Sequence, residues 1–210
     1  MTITTYYDDK SRLSFTRNFL KDEVDLVPGC PVVVKLALIV EHSGIYVGDD
    51  KVIELYGDGT INLVSTKKFL FGAYKQDIPL RTGINIYTPC FDGEVIYFKD
   101  AVSRALEIHN QTIEYHIRKN NCHMMTGYCL DGINFQKNTD CNTFASLTKK
   151  IMDLKLSTIN ASKKSGFWHK LSNSINEIRT SQFPKDVYYC GDFALNDINR
   201  FSWQPAKCNE

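Results

Sequence analysis

The sequence predicts an α+β protein whose strands come first and whose helices follow. Two observations carry this. From Pro31 to Ser65 the apolar residues alternate with polar ones or form short β-branched runs, broken by Gly-Asp turns. From Phe98 onward the apolar residues instead recur every three or four positions. A length of 210 residues supplies one sizeable core plus an appendage.

Residues 1–26 are polar and mixed, and read as an ordered arm or short helix. Pro28-Gly29 marks a turn, after which the run Pro31–Val40 reads as β-rich. A hairpin follows, with strand His42–Val47, a turn at Gly48-Asp49-Asp50 and strand Lys51–Tyr56. Gly57-Asp58-Gly59 turns the chain into a third strand, Ile61–Ser65. Thr66–Phe71 reads as a short helix capped by Ser65 or Thr66. Residues 78–90 are expected to be extended and to end at Pro89.

Phe98, Ala101, Val102, Ala105, Leu106 and His109 share one helical face. Asn120-Asn121 then punctuates the chain before a helix Cys122–Leu130 that Gly132 stops. Two more stripes follow, Phe144, Leu147, Ile151 and Leu154, and then Trp168, Leu171, Ile175 and Ile178. Such stripes are core-facing or docking faces. The join between core and appendage is expected at 134–142, with 157–165 as the alternative, and the aromatic-rich tail is expected to pack.

The formal net charge of +1 gives no electrostatic reason to bind nucleic acid. No run of about 18 apolar residues suggests a transmembrane helix. The start MTITTYYDDKSR has early acids and no apolar stretch of the signal-peptide kind, so a cytoplasmic location with reduced cysteines is expected. The seven cysteines contain no CxxC pair, and the His and Cys residues lack ligand spacing; neither a metal nor another cofactor is expected.

One constellation points to chemistry. His42 lies on a strand, and Glu54 on the partner strand is a cross-strand or diagonal neighbour able to orient an imidazole. Cys122 opens a helix, where unpaired N–H groups and the dipole favour a thiolate and can bind an oxyanion. Asn121, His123 and Tyr46 are candidate oxyanion or pocket residues. Cys122 as nucleophile, His42 as base and Glu54 as orienter form a nucleophilic catalysis layout. His116 is the rival base; His109 and His169 are weaker ones.

Four blocks carry a family resemblance. HSGIYVGDDKVIEL (residues 42–55) resembles the His-containing block of the lecithin retinol acyltransferase (LRAT)-like family. GTINLVSTKKFL (59–70) resembles its following strand and helix, NNCHMMTGYCLDG (120–132) its Asn-Cys-Glu-His-Phe block, and PGCPVVVKL (28–36) its Pro-Gly opening. The blocks keep the family's order and span roughly residues 26–133. The resemblance implies a permuted NlpC/P60 papain-like core, an antiparallel sheet with a Cys-bearing helix. It divides the chain into an arm (1–25), this core (26–133) and a mostly helical C-terminal extension (134–210). It implies Cys122 as nucleophile, His42 as base and Glu54 as third polar residue.

It further implies thioester chemistry on lipid or other acyl substrates, phospholipids first, with peripheral contact to a membrane surface. Two departures bear on the substrate. Glu54 stands where acyltransferase members usually have a second His, and His123-Met124-Met125 replaces Glu-His-Phe. A cysteine amidase or protease acting on peptidoglycan or peptides, such as a bacterial effector delivered into a target cell, is the alternative. A non-catalytic binding module on the same fold is the third.

Overall fold

A computed structural model describes residues 23–36, 40–72, 85–133, 141–162 and 200–207. Its strands are β1 (Pro31–Leu36), β2 (Val40–Gly48), β3 (Lys51–Leu55), β4 (Ile61–Ser65), β5 (Tyr87–Phe91), β6 (Glu94–Val95) and β7 (Phe201–Pro205). Its helices are α1 (Thr66–Phe71), α2 (Ala101–Ile108), α3 (Cys122–Asp131) and α4 (Phe144–Ser162). The fold is mixed, an antiparallel sheet with helices packed on it, as the change of period predicts.

The sheet runs β4-β3-β2-β1-β5-β6, and β7 also pairs with β5. The expected β2–β3 hairpin is present. Asp49 and Asp50 both take positive φ, 48° and 57°, the backbone that a two-residue type I′ turn requires. The run Pro31–Val40 is not one strand. It folds back as β1 and β2, with Leu36 opposite Val40 and Val34 opposite His42. β5 likewise does not end at Pro89 but continues to Phe91.

Alternation sorts β1–β3 onto two faces. Val33, Ile45, Ile53 and Leu55 bury against Met125, Cys129 and Leu130 of α3 and Leu147 and Ile151 of α4. Val32, Val34, Val52 and Val64 bury on the other face with Phe69 and Leu70 of α1. Ser65 is the residue that caps α1, its hydroxyl accepting from Lys68 N at 3.1 Å. Gly44 makes the close docking of α1 possible. A Cβ there would lie 2.6 Å from Ile53 O and 3.3 Å from the Phe69 ring.

Two boundary expectations need correcting. The described part of residues 134–210 is mostly helical, as expected, but it is not separate from the core. α4 contributes to the main core, and β7 joins the sheet with Trp203 opposite Pro89 and buried against Phe144. The chain before residue 26 is tied in as well, because Val24 bridges to Ala206. The alternative linker position, 157–165, is instead helix as far as Ser162. The stripe 168–178, most of the arm and residues 134–140 lie outside the described residues.

Candidate active site

Pairing of β2 with β3 ends at the rung Gly44–Glu54. His42 therefore lies one step past the last rung on the same face, diagonal to Glu54. Gly44 presents no side chain beside Glu54, and the Phe69 ring packs over it. His42 Nε2 and Glu54 Oε2 are 2.7 Å apart, and the residues are 6% and 2% exposed. A carboxylate only accepts, so Nε2 carries the proton and Nδ1 is left for a second partner. Phe69 of α1 packs on the ring at a centroid distance of 5.3 Å. It helps fix the ring plane.

Cys122 starts α3 because Asn121 ends an extended segment there, with φ −120° and ψ 177°. The Asn121 side chain accepts from Met124 N at 3.0 Å and donates to Ile117 O at 2.7 Å and Asn142 O at 2.8 Å. Both amide hydrogens are thus committed to backbone carbonyls. Asn121 sets the helix start, and its side chain is not an oxyanion donor. The N–H groups of Cys122 and His123 have no acceptor among the described residues and face the opening of the helix. The segment leading into α3 is pinned at Gly59 (φ +90°), where a Cβ would sit 2.0 Å from Ile113 O.

The thiol and the imidazole act on each other. Burial works against charge on both. In His42 this is overcome by the Cys122 thiolate, then by hydrogen bonding to it and by Glu54, and its pKa rises to about 9. In Cys122 the burial penalty is overcome by the charge of His42, hydrogen bonding to it, and the backbone and hydroxyl of Ser43; its pKa falls. Both directions describe a thiolate–imidazolium pair. Other cysteines behave oppositely: burial pushes Cys30 to about 11 and Cys129 to about 12. None of the five cysteines among the described residues forms a disulfide.

His123 is buried, 7% exposed, and its Nδ1 lies 2.9 Å from Ser43 Oγ. Burial, then the charge of His42, lowers its pKa to about 3. It is neutral at physiological pH and does not compete as base. Tyr46 is a correction to the expected pocket. It is four residues from His42, about 13 Å along the strand, and its hydroxyl accepts from Asp50 N at 3.4 Å in the hairpin turn. The rival base His116 is exposed, with Nδ1 accepting from Arg118 N at 3.1 Å. His109 terminates α2, and His169 lies outside the described residues.

Three site residues escaped the sequence reading. Ser43 and Thr126 have hydroxyls 2.9 Å apart. Tyr115 is half-buried; burial first and the Cys122 charge second push its pKa to about 12, so it keeps its proton beside the thiolate. Ser43 follows His42 directly, which was a usable signal; Tyr115 carried none. No family model and no curated protein matches the sequence. Among the described residues no helix is long and apolar enough to cross a membrane.

Proposed function

We propose that the chain is a cysteine-dependent acyl hydrolase or acyltransferase that forms a thioester at Cys122. The observation that carries this reading is the buried coupling of Cys122 with His42, itself held by Glu54 at 2.7 Å. A thiolate on a helix start, an imidazole with one nitrogen fixed and two unpartnered N–H groups make up the apparatus that acyl transfer needs.

Cys122 Sγ attacks the carbonyl carbon, and the carbonyl oxygen takes up the electron pair. The Cys122 and His123 N–H groups at the start of α3 receive that oxyanion in this reading. The tetrahedral intermediate collapses as Nδ1–H of His42 protonates the leaving oxygen or nitrogen, giving a thioester and neutral His42. Nδ1 then takes a proton from water or from an acceptor alcohol or amine as it attacks. The thiolate departs and the ion pair is restored. Glu54 keeps Nε2–H in place throughout.

Phospholipid acyl esters are the first substrate class, supported by the resemblance of residues 42–55, 59–70 and 120–132 to the LRAT-like family and by a His strand that precedes the Cys helix, the order that resemblance implies. A membrane surface would then present the substrate. Glu54 in place of a second His favours one other reading, a thiol amidase on peptide or peptidoglycan bonds. Mass spectrometry of products after incubation with mixed phospholipids and, separately, with peptidoglycan fragments decides between them. Fatty acid released by the wild type and not by Cys122→Ala supports the lipid reading. Cleavage of peptidoglycan alone supports the amidase, and equal fatty-acid release by Cys122→Ala removes the thioester mechanism.

A further inference from the structure

Three buried hydrogen bonds run in series from β2 into α3. His123 Nδ1 lies 2.9 Å from Ser43 Oγ, Ser43 Oγ lies 2.9 Å from Thr126 Oγ1, and Thr126 Oγ1 donates to Cys122 O at 2.9 Å. Ser43 and Thr126 are 0% exposed and His123 is 7% exposed, so solvent does not compete for the protons of the series.

Counting those protons fixes their direction. A carbonyl oxygen only accepts, so the single hydroxyl proton of Thr126 lies toward Cys122 O. Thr126 Oγ1 then accepts from Ser43, which spends the single Ser43 proton. Ser43 Oγ is left to accept from His123. Burial, then the charge of His42, holds the His123 ring neutral, with its pKa lowered to about 3. Its one ring proton therefore sits on Nδ1, and Nε2 is a bare lone pair. Nε2 has no hydrogen-bond partner among the described residues, and the neighbouring Phe144 ring, 6.3 Å away between centroids, supplies no donor to it. Among the described residues the one fully sealed side-chain N or O without a partner is Trp203 Nε1, so the small exposure of His123 reaches Nε2. An acceptor this buried is costly to leave unsatisfied.

His123 directly follows the nucleophile, and in the proposed mechanism its backbone N–H takes the oxyanion. A substrate atom a few bonds from the reacting carbonyl thus comes within reach of its ring. An uncharged donor suits the place, because an ammonium would meet the positive charge of His42 in a buried site.

We infer that His123 is a specificity-determining residue whose Nε2 lone pair accepts a hydrogen bond from an uncharged N–H or O–H of the substrate close to the scissile carbonyl. This rests on the reading of Cys122 as nucleophile and narrows its substrate class. An amide N–H of a peptide-type chain supplies such a donor, and so does the free hydroxyl of a partly acylated polyol.

The test joins the tautomer to a substrate preference. Proton–nitrogen correlation of the full chain, labelled with nitrogen-15 in its histidine rings and with His123 assigned through His123→Phe, should show the proton on Nδ1 and a bare Nε2 at neutral pH. A proton on Nε2 overturns the inference without any substrate. Acylation of Cys122 is then timed with two matched pairs of nitrophenyl esters, N-acetylglycyl against N-acetyl-N-methylglycyl and hydroxyacetyl against methoxyacetyl, each rate divided by the alkaline hydrolysis rate of the same ester. At least one pair should favour the donor-bearing ester about fivefold or more, and the pair that does so tells an amide source from a hydroxyl source. His123→Phe keeps a ring and discards the acceptor, and should bring that preference close to unity. His123→Met serves the same comparison where His123→Phe does not fold. No preference in either pair, or a preference that the variant retains, overturns the inference. Failure of all four esters to acylate Cys122, with the tautomer as stated, would instead remove the nucleophile reading beneath it.

Discussion

Replacing Glu54 with Gln separates charge from geometry. The amide keeps an oxygen to accept from His42 Nε2–H and discards the negative charge. His42 stands at about 9 against an ordinary 6.5, a net elevation of two to three units achieved against burial, with Cys122 acting more strongly than Glu54. That elevation is on the order of 3 kcal/mol in favour of the imidazolium. Glu54 holds the smaller share, and exchanging a charge-assisted hydrogen bond for a neutral one forfeits about 1 kcal/mol. The His42 pKa in Glu54→Gln should therefore fall by about one unit, to about 8. NMR titration of labelled imidazole, with His42 assigned through a His42→Gln variant, measures this directly. Glu54→Ala should fall further, since it leaves Nε2–H buried without its acceptor. A His42 pKa that stays near 9 in Glu54→Gln would refute the assignment of Glu54 as electrostatic orienter.

Three further outcomes follow from the same geometry. The folded pKa of His123, about 3, lies below its ordinary 6.5, so the unfolded chain binds the proton first on acidification. Its contribution is present above pH 6.5 and lost from there toward pH 3, with a limiting slope of about 1.4 kcal/mol per unit; urea denaturation of His123→Phe should show a correspondingly shallower acid slope. Asn121→Ala removes the α3 cap and both carbonyl contacts, and should lower the unfolding free energy by about 1–3 kcal/mol in the same assay. Trp203→Ala should cost about 3–5 kcal/mol, since Trp203 is 3% exposed in the main core; a cost under 1 kcal/mol would mean that β7 is dispensable.

Local chemistry made part of this legible from sequence. The Gly48-Asp49-Asp50 turn set the hairpin, and counting back from it put Glu54 within reach of His42. Asn121 before Cys122 signalled a capped helix start. Non-local pairing was not legible. Nothing in the local pattern of Phe201–Pro205 says that it pairs with Tyr87–Phe91, because that register depends on a sheet edge created by distant residues. The Pro31–Val40 run concealed the reversal into β2, since it is apolar apart from Lys35 and no Gly, Asn or Asp marks the turn. Asn121 and Tyr46 were placed in the site by proximity in sequence. The backbone carbonyls around Asn121 and the hairpin turn beside Tyr46 claim their polar atoms instead. His123 looked like a helper for the thiol, and its burial makes it a neutral partner of Ser43.

The most direct test of the account is to trap the acyl-enzyme. The chain is incubated with a short-chain acyl ester carrying a good leaving group, quenched in acid, digested and mapped by mass spectrometry. The account predicts an acyl adduct on Cys122 that hydroxylamine removes, absent in Cys122→Ala and slowed by at least a hundredfold in His42→Ala. No adduct on Cys122, or acylation that His42→Ala leaves at the wild-type rate, would contradict it.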